Sequence, residues 1–485
     1  MLKKILSFII FIIVVFASYL IFNTLKFKSK QISYEPIKKI DVDDSSVFRL
    51  AEALKIKTIS TEDPADFDSA QFNSYSNYLK ESYPLVEKSL KKNRINKYSH
   101  LYEWPGKNPQ LKPVILVAHL DVVPVPKEEL EEWKAPPFDG VIIDDILWGR
   151  GTMDDKVSVI GILEAVEYML NKGFQPDRTL YFAFGHDEEV GGINGAKAIV
   201  KHLMQEKIEP EFVLDEGFTI TQGLVPGVLT NVALIGIAEK GFASLTLSVD
   251  MDGGHSSMPN NETAIKVIAN AITALENNPF PAKITGPVHQ FLEYVGPEMR
   301  FQEKLVFANK GIFQSIILGI YQQTPPGRAV VQTTMAPTIF KSGIKENVIP
   351  TNAEATINFR ILPGSNIDDV INHVRHSIDD SRIDISLSPF HSNPSKVSGI
   401  GTPGYAIINK SIKEVFPDVI TAPNLVIAAT DGRYYGEICE NIYRFLPIRM
   451  NPDNVKSMHG INENIPIDEF EDAIRFYVRL LENCK

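Results

Sequence analysis

YFAFGHDEEVGG, residues Tyr181–Gly192, is where a hydrophobic run stops abruptly in a polar cluster. Tyr181–Phe184 is aromatic and apolar, the mark of a buried strand. Gly191, Gly192 and Gly195 break that pattern ahead of a stretch over 196–206 that reads as a helix. The cluster holds two adjacent carboxylates, Glu188 and Glu189. Two neighbouring Glu at the end of a buried strand can divide the work: one holds a metal while the other, a peptide unit away, moves a proton. The competing reading is a solvated loop with incidental charge. The rest of the chain decides between the two.

Outward from this strand, KPVILVAHLDVV (Lys112–Val123) has the continuous apolar middle of a strand buried on both faces. Lys156–Leu170 carries apolar residues at helical intervals, and Phe212–Leu214 is a third strand. Strands and helices therefore alternate as in a doubly wound α/β sheet. Upstream, Val47–Leu54 and Phe72–Leu90 read as helices of a lead-in. Past residue 236 the pattern changes. Ser244–Val249, Thr333–Ile339, Ala355–Ile361 and Ile383–Leu387 read as strands, with helices at Thr263–Leu275 and Ile367–Ile378. This β-α-β-β-α-β order is ferredoxin-like. Within it, 280–330 is an extra segment whose apolar stretch Ile312–Ile320 either packs as core or lines a greasy groove for an acyl chain. From 390 the α/β pattern resumes, with a helix over 404–415, strands Asn424–Ala428 and Tyr443–Leu446, and a helix over 468–482. The expected division is an N-terminal segment 1–30, a catalytic domain in two parts, 31–235 and 390–485, and an inserted α+β lid or dimerisation domain over 236–389.

A chain of 485 residues is long enough for two or three such units. The net charge of −11 leaves no electrostatic footprint for a nucleic-acid partner. Part of that acidity fits a ligand cluster that bound cations would neutralise. Cys439 and Cys484 have a spacing that suggests neither a zinc knuckle nor a disulfide framework. At the N-terminus, MLKK precedes the uncharged run Ile5–Phe22, and Lys26, Lys28 and Lys30 follow it. The run is long for a signal-peptide core and right for a spanning helix, and small residues for a cleavage site are scarce. An uncleaved membrane anchor is therefore expected in preference to a cleaved signal. Lysines on both sides leave orientation to the bulk of the chain, which is placed outside the cytoplasm, or secreted if the segment is cleaved.

Polar residues gather at the strand ends. His119 and Asp121 stand in AHLDVVP, Asp154 and Asp155 in GRGTMDDK, Glu188 and Glu189 in the opening stretch, and Asp215 and Glu216 in FVLDEG. In an open α/β sheet these ends share the edge at which such folds bind ligands. His459, in MHGINENIP, can join them. His with several carboxylates and no Cys suits Zn²⁺, with Mn²⁺ or Co²⁺ also fitting, and so many acids suit two metals with one carboxylate bridging.

AHLDVVP, GRGTMDDK, GHDEEVGG, LDEG, GGHSSMP, NVIP with NFRILPG, and MHGIN together resemble the clan MH metallopeptidases related to carboxypeptidase S, aminoacylases and carnosinases. The motifs run in order over residues 117–460, and the resemblance is strongest to the branch containing carboxypeptidase S and the secreted N-fatty-acyl-amino-acid synthase/hydrolase. It implies two zinc ions per subunit. One would be held by His119 and Asp215, the other by Glu189 and His459, with Asp154 bridging and a cis peptide between Asp154 and Asp155. Glu188 would be the general base that later protonates the leaving amine, and Asp121 would fix the His119 tautomer. His255, in DGGHSSMP, would cross to a partner subunit and stabilise the oxyanion, making a homodimer through the inserted domain. Arg360, in NFRILPG, would clamp a substrate carboxylate with its planar fork of donors, and Asn347 would add a polar contact. Thr430 and Arg433 stand in TDGR where relatives show TDSR, so Gly432 leaves the substrate-side role of that loop open. His186 and Asp187 are expected in packing or in support of the ligand residues, and His202, His289, His373, His376 and His391 have no motif around them.

The resemblance implies hydrolysis of an amide next to a free carboxylate, in a peptide or an N-acyl amino acid. The alternatives are a membrane-anchored scaffold on an inactive hydrolase fold, against which the intact set of motif residues argues, and a related ureido or amidine hydrolase.

Overall fold

The structure, a computed structural model, describes residues 1–35 and 37–485. Its centre is a mixed sheet. Three strands, Leu180–Gly185, Val114–His119 and Phe212–Asp215, lie side by side in parallel, and Ile442–Arg444 continues the parallel set. Each of the first three is buried along its whole length, because helices cover both faces. On one side, Lys156–Asn171 and Ile467–Asn483 pack together over the largest apolar core, around Leu116, Phe182, Ile160 and Phe476. On the other, Ala196–Gln205 and the short helix Gly432–Tyr435 cover Val117, Ala183 and Val213. This is the expected doubly wound arrangement.

Two parts of the sheet were not legible. Lys91–Ile95 and Ser99–Trp104 form an antiparallel hairpin on its edge, where the lead-in was expected to hold only helices. The first of these strands is KKNRI, nearly all exposed; edge strands are blunted by charge, and that erases the apolar signal. Val232–Glu239 is a fully buried strand pairing in parallel with Ile420–Val426, so the large domain runs to residue 239 and the insert begins at Gly241. The expected helix over Phe72–Leu90 is two, Ser69–Ser82 and Pro84–Ser89. Pro84, at the first helical position, starts the second.

The insert has the predicted β-α-β-β-α-β order. Its antiparallel strands stand as Thr334–Ser342, Asn352–Ile361, Gly241–Asp250 and Asp384–Leu387, with helices Ala264–Asn277 and Ile367–Ile378 on one face. Burial alternates along Asn352–Ile361, sending Phe359 and Ile361 to the helices and Arg360 to the opposite face.

The segment 280–330 corrects the expected boundary. It folds as helices Gly286–Val295, Phe301–Ala308, Lys310–Tyr321 and Pro325–Val331. These pack on Ile420–Val426 of the large sheet, around Val288, Leu292, Ile317 and Ala422, rather than on the insert's core. The helix Leu2–Lys26 meets this helical annex at its C-terminal end.

Candidate metal centre and active site

Because Val114–His119, Leu180–Gly185 and Phe212–Asp215 are parallel, their carboxyl ends present His119, the Glu188–Glu189 turn and the Asp215–Glu216 pair along one edge. Asp154 comes from the loop ahead of helix Lys156–Asn171 and is joined to Asp155 by a cis peptide. His459 comes from the loop before the last helix, at positive φ.

Asp154 lies between the two histidines. Its Oδ1 is 2.8 Å from His119 Nε2, and its Oδ2 is 2.8 Å from His459 Nε2. Glu189 Oε2 is 3.3 Å from His459 Nε2, and Glu216 Oε1 is 3.6 Å from His119 Nε2. Two trios sharing Asp154 result: His119, Asp154 and Glu216, and Asp154, Glu189 and His459. Within each trio the potential ligand atoms all lie within 4.8 Å of one another.

Asp215 is not among them, a correction to the expected set. Its Oδ2 accepts from the Gly432 amide at 2.5 Å, and its Oδ1 accepts from the Glu216 amide at 3.0 Å. Successive residues at a strand end point to opposite sides, so only one acid of the DEG triplet can face His119. The doubled acid was the only sequence signal for Glu216.

Asp121 is fully buried and orders the neighbouring groups. Its carboxylate accepts from the Glu188 and Glu189 amides at 3.2 and 3.1 Å and from the Ser60 hydroxyl at 2.6 Å. Its Oδ1 lies 3.3 Å from His119 Nδ1, which is closer still, at 3.0 Å, to the Asp121 carbonyl. Either contact fixes the ring so that Nε2 faces Asp154. Glu463 was missed by the motif reading. Its Oε1 accepts from the Gly151, Met153 and Asp154 amides at 3.1, 2.7 and 3.2 Å, and its Oε2 pairs with the buried Arg150 at 2.7 Å. It clamps the loop that carries Asp154.

The electrostatics call for a cation. Burial, then the charge of Asp431, pushes the Glu188 carboxyl well above its ordinary value. Burial likewise raises Glu189 and Glu216, against the opposing pull of His459 on the first and of His119 on the second. Burial pulls the His119 imidazole down, but Asp121 and Asp154 outweigh it and hold the ring well above its ordinary range. Glu189 Oε1 is buried with no hydrogen-bond partner among the described residues. An orphaned carboxylate oxygen among crowded acids and two imidazoles is the donor set of a borderline-soft divalent cation, and these residues fit one.

Beside the trios opens a cavity of about 1370 Å³. Glu188, Glu189 and His459 line it together with Arg360 and Arg433, and its apolar wall includes Phe67, Phe242 and Phe390. Arg360 stacks over the Phe242 ring at 4.8 Å and, among the described residues, has no carboxylate partner. Arg433 packs over Phe390 and donates to the Gly191 carbonyl at 2.8 Å.

Three other expected residues lie elsewhere. Thr430 is buried behind the cavity and donates to Glu239 at 2.5 Å, so it supports the loop rather than facing substrate. His255 and Asn347 sit together at an exposed ladder, Gly254–His255 with Val348–Ile349, and neither lines the cavity of its own chain. His255 Nδ1 is engaged by Ser257 Oγ at 2.8 Å. Of the residues assigned to packing, Asp187 accepts from the Asn194 and Gly195 amides, both at 2.7 Å, and His186 Nδ1 is 2.6 Å from Ser99 Oγ. His202, His289, His373, His376 and His391 stand in neither trio.

A His–carboxylate cluster, buried at His119 and Asp154 and open at His459, at the carboxyl edge of an α/β sheet with Glu188 beside it and an open cleft in front, defines a metal-dependent hydrolase. Residues 115–483 match peptidase family M20/M25/M40. The chain is 42% identical over 477 residues to a probable carboxypeptidase S-like protein of Dictyostelium discoideum, covering 96% of this chain and 91% of that one. It is 36% identical over 463 residues to the N-fatty-acyl-amino acid synthase/hydrolase PM20D1 of Xenopus tropicalis, covering 92% and 90%. An M20 metallo-carboxypeptidase of Sulfolobus solfataricus shares the fold at a TM-score of 0.66 and 19% identity, over 91% of this chain and 99% of that one. The chain belongs to peptidase family M20/M25/M40 and is a metal-dependent hydrolase of amide bonds.

Proposed function

We propose that this enzyme cleaves N-acyl amino acids bearing a large apolar acyl group, using two zinc ions. His119, Asp154 and Glu216 would hold one ion; Asp154, Glu189 and His459 would hold the other, with Asp154 shared. The ions would supply Lewis acidity, polarising the scissile carbonyl and making a water acidic near neutral pH. Glu188 accepts the proton of the attacking water and returns it to the amine that leaves. Its place on the cavity wall beside Glu189 and His459 puts it in the same cleft for both transfers. Arg360 binds the substrate carboxylate, and Arg433 strengthens the positive field at that end of the cleft. His255, exposed and without a place in its own chain's cavity, serves the site of a second copy as an oxyanion donor. Helix Leu2–Lys26 holds the enzyme to a membrane with the catalytic part outside the cytoplasm.

The observation that carries this reading is Arg360, without a carboxylate partner among the described residues, in the same cavity as Glu188 and the rings of Phe67, Phe242 and Phe390. A C-terminal peptide bond presents the same amide and carboxylate, and the 42% identity to a carboxypeptidase S-like protein favours it as a second reading. The acyl groove is not Ile312–Ile320, which does not line this cavity. The test is hydrolysis of an N-long-chain-acyl amino acid beside Gly-Leu by zinc-loaded enzyme, with Glu188→Gln as control. A kcat/KM at least tenfold higher for the acyl compound supports the proposal, and the reverse order makes the enzyme a dipeptidase or carboxypeptidase. Equal rates for wild type and Glu188→Gln would remove Glu188 from the mechanism.

A further inference from the structure

The N-terminal helix is not loosely tethered. Residues 1–19 are exposed along their whole length, but from Leu20 onward the helix is gripped by the helical annex. The Asn309 amide donates to the Leu20 carbonyl at 3.1 Å, and Asn23 donates to Asn309 Oδ1 at 2.8 Å. Thr24 is buried. The Phe27 ring packs so closely on Gly296 that a Cβ there would fall 2.7 Å from it. Lys30 pairs with Glu293 at 2.8 Å, and Gln31 exchanges hydrogen bonds with the Thr421 backbone at 2.9 and 2.8 Å. The joint therefore runs from the last turns of the helix through the annex to the main sheet.

The uncharged run Ile5–Phe22 covers about 27 Å at ~1.5 Å per residue, close to the hydrocarbon thickness of a bilayer. The annex bonds the helix at Leu20, within a turn of the end of that run. Whatever the annex exposes near this joint lies at the depth of the lipid headgroups. It exposes apolar side chains. Asn309, the residue that grips the helix, also precedes helix Lys310–Tyr321. On that helix Ile312, Ile316 and Ile320 are 47%, 53% and 56% exposed. Their spacing of four puts them on one face, while Ile317 alone is buried against the annex core. Phe301, on the preceding helix, is 55% exposed.

We propose that the Ile312–Ile316–Ile320 face docks into the lipid bilayer surface beside the spanning helix, as an interfacial helix that sets the enzyme's height and tilt on the membrane. The anchor alone would leave the domain free to swing; two contacts of different depth fix one orientation. This rests on the membrane-anchor reading of Leu2–Lys26. The occupant is lipid rather than a second protein, because the helix that carries the face begins just after Asn309, which bonds Leu20 and Asn23 of a helix whose exposed residues 1–19 are long enough to enter a bilayer.

The experiment uses the full chain reconstituted in phosphatidylcholine vesicles, with single cysteines carrying an environment-sensitive fluorophore. Cys439 and Cys484 are buried, so labelling is selective for the introduced thiol. Ile316→Cys is the test position, Phe11→Cys reports the spanning helix, and Ile344→Cys, 96% exposed on the insert, is the aqueous control. Lipid-borne nitroxide quenchers should quench positions 11 and 316 at least threefold more than position 344, and aqueous iodide should show the opposite order. Quenching at 316 by iodide and not by lipid, with 11 quenched by lipid, overturns the docking and leaves the anchor standing. Protection of 316 from both quenchers overturns it in favour of a second copy covering the face. Absence of lipid quenching at both 11 and 316 overturns the anchor and the docking together.

Discussion

Asp215 and Glu216 are consecutive in the chain yet serve opposite sides of the strand end. Glu216 Oε1 lies 3.6 Å from His119 Nε2, while Asp215 Oδ2 accepts from the Gly432 amide at 2.5 Å. Glu216→Gln should therefore lower the metal content of purified enzyme, measured by mass spectrometry, and reduce kcat by at least a hundredfold. Asp215→Asn should keep its metal but lose about 1–3 kcal/mol of stability, since a buried acceptor next to an amide N–H is weakened or reversed. Loss of metal in Asp215→Asn and retention in Glu216→Gln would exchange the two roles.

Glu463 holds the Asp154 loop through three backbone amides and the buried Arg150. Glu463→Ala leaves the Arg150 guanidinium buried without its carboxylate, at a cost of about 3–5 kcal/mol. Urea unfolding should show that loss, and activity should fall with it although Glu463 supplies no ligand atom to either trio. Glu463→Gln keeps the volume and should retain more of both. A variant Glu463→Ala as stable as wild type would remove the clamp from the account.

Among the described residues Arg360 has no acid partner. Arg360→Ala should lower kcat/KM about 10- to 100-fold on substrates with a free carboxylate, the worth of a charge-assisted hydrogen bond. Substrates capped as carboxamides should be almost indifferent to the change. A parallel loss on both substrate forms would assign Arg360 to folding instead.

Metal removal should destabilise the enzyme, because the crowded acids at the strand ends lose their countercharge. Ligand bound only by the folded state adds about 2.7 kcal/mol at a hundredfold excess over Kd. Zinc at that excess should raise the Tm of chelator-stripped protein by several degrees, and magnesium, a poor match for imidazole, by much less. An unchanged Tm would show that the site does not bind zinc in the folded state.

His100 gives a pH signature away from the metal site. It is buried between Ser76 Oγ at 2.8 Å and the Tyr102 hydroxyl at 3.2 Å, and burial pulls its imidazole down to about 3. The unfolded chain takes up a proton near pH ~6.5 that the folded chain refuses. Its contribution is full above that pH and declines as pH falls toward 3, by up to about 1.4 kcal/mol per unit. His100→Gln should flatten the acid limb of a stability–pH curve by that amount. An unaltered slope relative to wild type would place the proton elsewhere.

The sequence alone determined the alternation of buried strands and helices, the ferredoxin-like order of the insert, and the motif residues from which the site is built. Those features are periodic or local, and a continuous apolar run or a doubled acid at a strand end is visible without a fold. The edge hairpin Lys91–Trp104 was hidden because its outer strand is charged, and Val232–Glu239 because a short apolar run carries no period of its own. Only the tertiary structure decided which of Asp215 and Glu216 faces His119, since a strand's alternation has a phase that its neighbours set. It alone made Glu463 a clamp and sent Thr430 behind the cavity, because hydrogen bonds between residues 149–154 and 463, or between 239 and 430, depend on loops that meet only in the folded chain. It also moved 280–330 from the insert to the flank of the main sheet, where Phe301–Ala308 and Asn309 meet the end of the N-terminal helix. Hydrophobicity says that such a stretch must be covered, and the packing of neighbouring elements says by what.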